Sequence, residues 1–237
     1  MNQPIRKIAL FDWDETLRRG ITLLPWSIFL YENNQLSREA LEKIKACFTA
    51  FENHQLSYEE FAVKVVQEYG MGLKDNSAQM LCELAEKFVR VDKANLSSFT
   101  APLINLLSSN NFLVVVVSGC PDTVLNAYSK ILKIDVVFGL SIYKNDENFT
   151  GQVKLNPSLQ DVKREVVKKI RGAHEVIVAA GNSNSDLPLF EHSKLSVAIK
   201  TDNHSLSNEV LRYAHLLNEN DVLPFIEKRL LKSVQQC

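Results

Sequence analysis

A change of rhythm along the chain constrains its fold more than any single residue. Lys7 to Phe11 reads as a short buried strand, and residues 21 to 93 then show helical periodicity with almost no strand signal. After Asn95 the pattern turns into alternating strands and helices, the mark of an α/β layer structure. A lone strand ahead of a helical stretch has no neighbour to pair with, so it belongs in the sheet built by the later strands. The expected architecture is an α/β fold with a doubly wound, mostly parallel sheet formed by residues 1–19 and 96–237. An all-α helical bundle, residues 20–95, is inserted after the first strand.

Within the insert, Thr22 to Tyr31 is apolar and aromatic, with Pro25 near its start, where a first-turn proline is tolerated. Ser37 is placed to cap a second helix whose apolar positions are Leu41, Ile44, Phe48 and Phe51. Ser57 and Glu60 form a capping-box pattern ahead of a third, with a stripe of Tyr58, Phe61, Ala62, Val65, Val66 and Tyr69 ended by Gly70. Met80, Leu81, Leu84, Ala85, Phe88 and Val89 mark a fourth. Stripes at this spacing are expected to be bundle core rather than a ligand site.

Downstream, a helix is expected from Thr100 to Leu107, then a fully apolar parallel strand from Phe112 to Val117 that ends at Ser118-Gly119. A helix after Pro121 and a short strand at Val136 to Phe138 follow. Residues 140–153 read as a hairpin or flap with Asn145-Asp146 and Gly151 as its turn residues. Asn156-Pro157 is expected to open a helix that carries Lys163 and runs to about Ile170. Glu175 to Ala180 is the next strand, leading into Gly181-Asn182-Ser183-Asn184-Ser185-Asp186; Leu195 to Ile199 is another, and a last helix covers 220–231.

Composition excludes several classes. The formal net charge is -1 over 237 residues, with no Lys/Arg run longer than two, so nothing favours nucleic acid or an anionic membrane. The longest apolar run is too short to span a bilayer, and no leader pattern of an apolar run before a small-residue cleavage site is seen. Cys47, Cys82, Cys120 and Cys237 are scattered, without zinc spacing, which suits reduced and mostly buried thiols in a cytoplasm. His54, His174, His192, His204 and His215 do not cluster and are expected to be surface or structural residues.

Polar residues gather at three expected strand ends: Asp12 with Asp14, Ser118 with Gly119, and Asn182 through Asp186. Ligands of doubly wound sheets sit at the carboxyl ends of the strands. Side chains at i and i+2 of an extended segment point the same way, so Asp12 and Asp14 can converge on one spot. From those residues alone, an Asx-type turn capped by Thr16 accounts for the pair equally well. The two further polar strand ends, with a lysine between them, favour a site. A carboxylate there can attack phosphorus, a second can move protons, a hard cation can screen both, and hydroxyl, backbone N–H and lysine can hold phosphoryl oxygens.

The order Asp12-x-Asp14-x-Thr16, then strand-Ser118-Gly119, then Lys163, then Gly181-Asn182 with Asp186 resembles the haloacid dehalogenase superfamily. The chain is most similar to its branch with a helical cap after the first motif, the phosphoserine phosphatases and related hydrolases. That resemblance implies a Rossmann-like core and a Mg²⁺-dependent phosphatase acting on a small-molecule phosphate monoester. It implies Asp12 as the nucleophile that forms an aspartyl-phosphate and as a metal ligand. Asp14 would be the general acid/base, its backbone carbonyl also touching the metal. Thr16 would support the motif loop and stand among the phosphate-binding groups with Ser118 and Gly119. Lys163 would pair with Asp12 and the phosphoryl oxygens; Lys154 is a rival for that role. Asn182 and Asp186 would complete the metal site.

The chain departs from the family pattern in three places. Asn182 stands where the family usually has Asp: its amide oxygen can still ligate Mg²⁺ but brings no charge, so metal affinity should fall, or Asp186 takes over as ligand. A weakened phosphate-binding or regulatory protein is the alternative that this change raises; carbon–halogen hydrolysis is disfavoured, because halide needs no proton from Asp14. Glu15 replaces a small residue, and its bulk either restricts substrates at the cap entrance or faces solvent. Arg18-Arg19 follows the motif where phosphoserine phosphatases carry an acid for the substrate ammonium, so phosphoserine is not carried over as the substrate. Paired arginines there are expected to be solvated or ion-paired rather than substrate contacts. Trp13 is expected to pack beside the site.

Overall fold

The computed structural model describes residues 6–172, 174–201 and 205–234. Residues 1–5, where a leader would begin, lie outside the described residues, as do His204 and Cys237.

Among the described residues the strands β1 (Lys7–Phe11), β2 (Leu113–Pro121), β3 (Val136–Asn145), β4 (Asn148–Leu155), β5 (Glu175–Gly181), β6 (Leu195–Ile199) and β7 (His215–Leu217) form one sheet in the order β4-β3-β2-β1-β5-β6-β7. All neighbours are parallel except β3 and β4, which form the hairpin expected over 140–153. β1 lies at the centre, paired with β2 on one side and β5 on the other. The order therefore reverses there, and a crevice opens at the carboxyl ends of those three strands.

The alternation of side chains along the strands divides the core into two layers. Ala9, Phe11, Val114, Val116, Val178 and Ala180 face a cluster that includes residues of α5 (Thr100–Ser109), α6 (Asp122–Ser129) and α10 (Glu219–Val234). Ile8, Leu10, Val115, Val117, Val176 and Ala179 face the other way, toward α7 (Gln160–Arg171), α8 (Leu187–Phe190) and α9 (Asn208–Tyr213). The fold is the doubly wound, mostly parallel sheet expected from the sequence.

Between β1 and α5 lie α1 (Leu23–Glu32), α2 (Arg38–Glu52), α3 (Tyr58–Gly72) and α4 (Ala78–Asp92). Their starts follow the capping residues: Ser37 Oγ accepts from Ala40 N at 3.1 Å, and Ser57 with Glu60 closes a reciprocal capping box. Backbone hydrogen bonds tie the insert to the core at its base and at its far end. At its base, Arg19 N donates to Asn95 O (2.8 Å) and Ser97 N to Leu17 O (3.0 Å), so the outgoing and returning segments run together. At its far end, Asp75 N donates to Phe149 O (2.8 Å) and Ala78 N to Glu147 O (2.8 Å), joining the insert to the β3–β4 hairpin.

Several local expectations are corrected. Gly151 is a strand residue, not a turn: it sits within β4 at φ +86°, and a Cβ on the facing Gly70 would lie 2.7 Å from its carbonyl oxygen, so helix α3 and the hairpin approach closely there. Asn156 does not cap α7, which starts at Gln160; its side chain accepts from Ser158 N (3.2 Å) and donates to Ala62 O (3.1 Å), binding the loop to the insert. β2 continues through Ser118 and Gly119 to Pro121. Short elements α9 and β7 were not expected, because six- and three-residue elements carry too little periodicity to stand out.

Candidate active site

Asp12 follows the last residue of β1, and its backbone N–H donates to Ala180 O at 3.0 Å, so its position is fixed from the sheet. The residue is 6% exposed. Lys163 reaches it from the first turn of α7: Nζ donates to Asp12 Oδ1 at 3.0 Å and to Asp186 Oδ1 at 2.5 Å. At 1% exposure Lys163 is a buried ammonium held between two carboxylates, not part of the solvated helix face formed by its neighbours. Lys154, the rival, is exposed on β4.

Burial raises the Asp12 carboxyl to about 7; the Lys163 ammonium opposes this, while Asp186 and Asp14 add to it. Burial also tends to discharge Lys163, but Asp12 and Asp186 outweigh that and push its pKa up, so the lysine keeps its charge. Asp14 is raised to about 6, again by burial, against hydrogen bonds from Thr22. Those bonds hold Asp14 Oδ1 in place: Thr22 N donates at 2.9 Å and Thr22 Oγ1 makes a short bond to the same oxygen. A carboxyl poised near neutrality is matched to proton transfer in either direction.

Ser118 and Gly119 lie on β2 beside this pair. A Cβ at Gly119 would stand 2.0 Å from Ser158 Oγ, so only glycine lets the Asn156–Ser158 turn close over the strand end. At the end of β5, Asp186 Oδ2 accepts from Asn182 N (2.9 Å), Ser183 N (2.9 Å) and Ser183 Oγ (3.0 Å). Both Asp186 oxygens are thus engaged and the residue is fully buried. Its geometry anchors Lys163 and the loop that carries Asn182 and Ser183.

Asp12, Asp14, Ser118, Gly119, Lys163 and Asn182 line one cavity of ≈ 70 Å³; Thr16 and Asp186 do not. Thr16, expected among the phosphate-binding groups, is fully buried and its hydroxyl donates to Asn182 Oδ1 at 3.1 Å. It supports the loop, the other part of its expected role. Asn182 Nδ2 donates to Glu15 Oε2 at 3.3 Å, which places Glu15 at the cavity rather than out in solvent. Glu15 sits at φ 55°, a left-handed conformation that explains why a small residue suits this step.

Among the described residues no group of three His, Cys, Asp or Glu side chains gathers as a metal cluster. The donors at the cavity are instead all oxygens, two carboxylates and the Asn182 amide, a hard set that suits Mg²⁺. Asn182 Oδ1 keeps a lone pair beside the one used by Thr16.

The arginines are structural. Arg18 is 3% exposed and clasps Asp92 through Nε (2.8 Å) and Nη2 (2.6 Å), while Tyr128 Oη donates to the same carboxylate at 2.6 Å. Arg19 pairs with Glu219 on the surface at 2.7 Å. Trp13 is fully buried with its ring 4.5 Å from that of Tyr128, in its expected packing role.

Sequence reasoning missed the other wall of the cavity. Phe61, Ala62, Val65 and Val66 of α3, assigned to bundle core, line the cavity, as do Ile21, Leu23 and Tyr58. The Tyr58 phenol stands near Ser185 and Lys163, and burial of its hydroxyl pushes its pKa up to about 12. No sequence signal separates these residues from ordinary core, since one apolar stripe serves both purposes.

The haloacid dehalogenase-like hydrolase family matches residues 9–191 of the chain. The chain belongs to that family. It is similar to the phosphoserine phosphatase of Methanocaldococcus jannaschii, at 26% identity over 81% of this chain and 85% of the relative. Among solved structures it resembles a phospho-aspartyl intermediate analogue of phosphoserine phosphatase, with TM-score 0.62, 21% identity, 94% of this chain and 99% of the other. It also resembles a protein of unknown function from Bordetella pertussis Tohama I, with TM-score 0.71, 18% identity, 91% of this chain and all of the other. Family and fold agree: the chain is a haloacid dehalogenase-like hydrolase with the architecture of the phosphoserine phosphatase structures it resembles. Among the described residues no helix is long and apolar enough to cross a membrane.

Proposed function

We propose that this protein is a Mg²⁺-dependent phosphatase that hydrolyses a small-molecule phosphate monoester through an aspartyl-phosphate on Asp12. The convergence of Asp12, Asp14, Ser118, Gly119, Lys163 and Asn182 on one cavity at three strand ends carries this reading. An Asp12 carboxylate oxygen forms a bond to phosphorus as the bond to the leaving oxygen breaks, and Asp14 gives that oxygen its proton. Asp14, now ionised, takes a proton from the water that attacks the phosphorus; inorganic phosphate leaves and Asp12 is restored. Lys163 opposes the burial of Asp12, favouring its anionic form for attack, and offsets charge on the transferring group. Ser118 and the Gly119 backbone hold the phosphoryl oxygens. Mg²⁺, when bound by Asp12, Asp14 and Asn182, supplies positive charge that screens the carboxylates and draws in the phosphoryl oxygens. The helical insert, residues 20–95, acts as the cap over this site, and the chain works in the cytoplasm, in keeping with its free thiols at Cys47, Cys82 and Cys120.

The test is hydrolysis of an aryl phosphate with and without Mg²⁺. Turnover is expected to need the metal and to fall by about 10⁴-fold or more in Asp12→Asn, the scale on which removing a nucleophile acts. Undiminished, metal-independent turnover in Asp12→Asn would overturn the assignment.

A further inference from the structure

The side of the cavity away from the strand ends is hydrocarbon. Ile21, Leu23, Phe61, Ala62, Val65 and Val66 face it, and apart from the Tyr58 phenol this wall contributes no polar group. Among the described residues the charged lining is one-sided: Asp12, Asp14 and Glu15 are acids, and Lys163 is the sole base. Lys163 is already held by two carboxylates, at 3.0 Å and 2.5 Å. Of the lining hydroxyls, Ser183 bonds Ser185 at 2.8 Å and Asp186 at 3.0 Å, while Ser118 and Ser158 stand at the strand end around Gly119, away from the apolar wall. Beyond Lys163 and the metal, which serve the phosphoryl group, a substrate carboxylate brought in here would meet three acids, no further basic side chain among the described lining residues, and an apolar wall. Stripping its water would go uncompensated. The cavity, ≈ 70 Å³, is also far smaller than the roughly 300–1,000 Å³ of sites for drug-sized ligands.

On the basis of the phosphatase reading above, we propose that the substrate's leaving group is small, uncharged and apolar, and that the α3 face sets this selectivity. The amino-acid ester named for the relatives is then a poor substrate. Phosphoserine's alcohol is a better leaving group than propanol, so intrinsic reactivity runs against the proposal, and a preference for the alkyl ester can come only from the protein.

The experiment compares kcat/KM for propyl phosphate, glycerol 1-phosphate and O-phosphoserine under saturating Mg²⁺, with an aryl phosphate as reference. Propyl phosphate is expected to exceed O-phosphoserine by at least about 10-fold, with glycerol 1-phosphate between them. Val65→Thr, which places a hydroxyl in the wall at almost unchanged shape, should narrow the ratio of propyl to glycerol ester several-fold. A folding defect would lower both rates and leave that ratio unchanged. Turnover of O-phosphoserine or glycerol 1-phosphate equal to or above that of propyl phosphate overturns this inference and leaves the phosphatase reading standing. An unchanged ratio in Val65→Thr overturns the role given to α3. Absence of turnover on all four esters overturns the phosphatase reading, and the inference falls with it.

Discussion

The two walls of the cavity are made of opposite materials. The core wall consists of strand-end loops whose polar groups fix one another: Asp186 holds Lys163 and the Asn182–Ser183 backbone, Thr16 holds Asn182, and Thr22 holds Asp14. The insert wall is one face of α3 with Ile21 and Leu23, apolar throughout except for Tyr58. The difference separates chemistry from selection. Groups that must meet a transition state within a fraction of an ångström are tied by hydrogen bonds to a rigid sheet. Groups that choose a leaving group need only size and polarity.

Breaking the core wall should have the largest effect. Lys163→Met leaves Asp12 and Asp186 facing each other in a buried space without a counter-charge. Turnover should fall by about 10²- to 10³-fold, and unfolding should become easier by about 3–5 kcal/mol. Steady-state kinetics and denaturant unfolding check the two parts separately.

The next largest effect is expected where the walls join. Arg18 and Asp92, together with Tyr128, make a buried network at the base of the insert. Burial tends to raise the Asp92 carboxyl, but hydrogen bonds from Arg18, Tyr128 and Asn95 outweigh it and hold its pKa below the usual value. A carboxyl depressed in this way stabilises the fold above its unfolded pKa of about 3.9, and the contribution is lost as pH falls below that point. Asp92→Asn should therefore cost about 3 kcal/mol at neutral pH, and the gap to the unchanged protein should close on acidification below about pH 4. Denaturant midpoints across pH measure it.

The smallest predicted effect sharpens the core wall. Asn182→Asp restores a charge at the metal edge but sets it 3.3 Å from Glu15. The Mg²⁺ concentration for half-maximal rate should fall several-fold more when Asn182→Asp is combined with Glu15→Gly than when it is introduced alone, because the two carboxylates repel. Glycine is also at ease at the φ of 55° found there. An equal shift in both backgrounds would separate Glu15 from the metal edge.

The same contrast explains what could be read in advance. The sheet, its insert and six of the eight expected site residues, those that line the cavity, followed from the order of polar strand ends, because unusual residues in a fixed order are informative: Asp12, Asp14, Ser118, Gly119, Lys163 and Asn182. Thr16 and Asp186 stand behind the cavity, hydrogen-bonded to Asn182 and Lys163. The insert wall was illegible. Val65 and Val66 have the spacing of core residues, and they are core residues, each 2% exposed, that also border the cavity. Ser158 was equally invisible, because its place depends on the absence of a Cβ at Gly119, a contact between distant segments. Asn156 was misplaced for the opposite reason: its local cap signal was strong, but its amide is used across the molecule, on Ala62.

Direct detection of the phosphorylated enzyme tests the central claim most closely. A single turnover with a ³²P-labelled aryl phosphate and Mg²⁺, quenched in acid within the first turnover and mapped by peptide, should place a hydroxylamine-sensitive label on the peptide containing Asp12. Label on another residue, or rapid turnover with no labelled protein at any quench time, would contradict the assignment of Asp12 as the nucleophile.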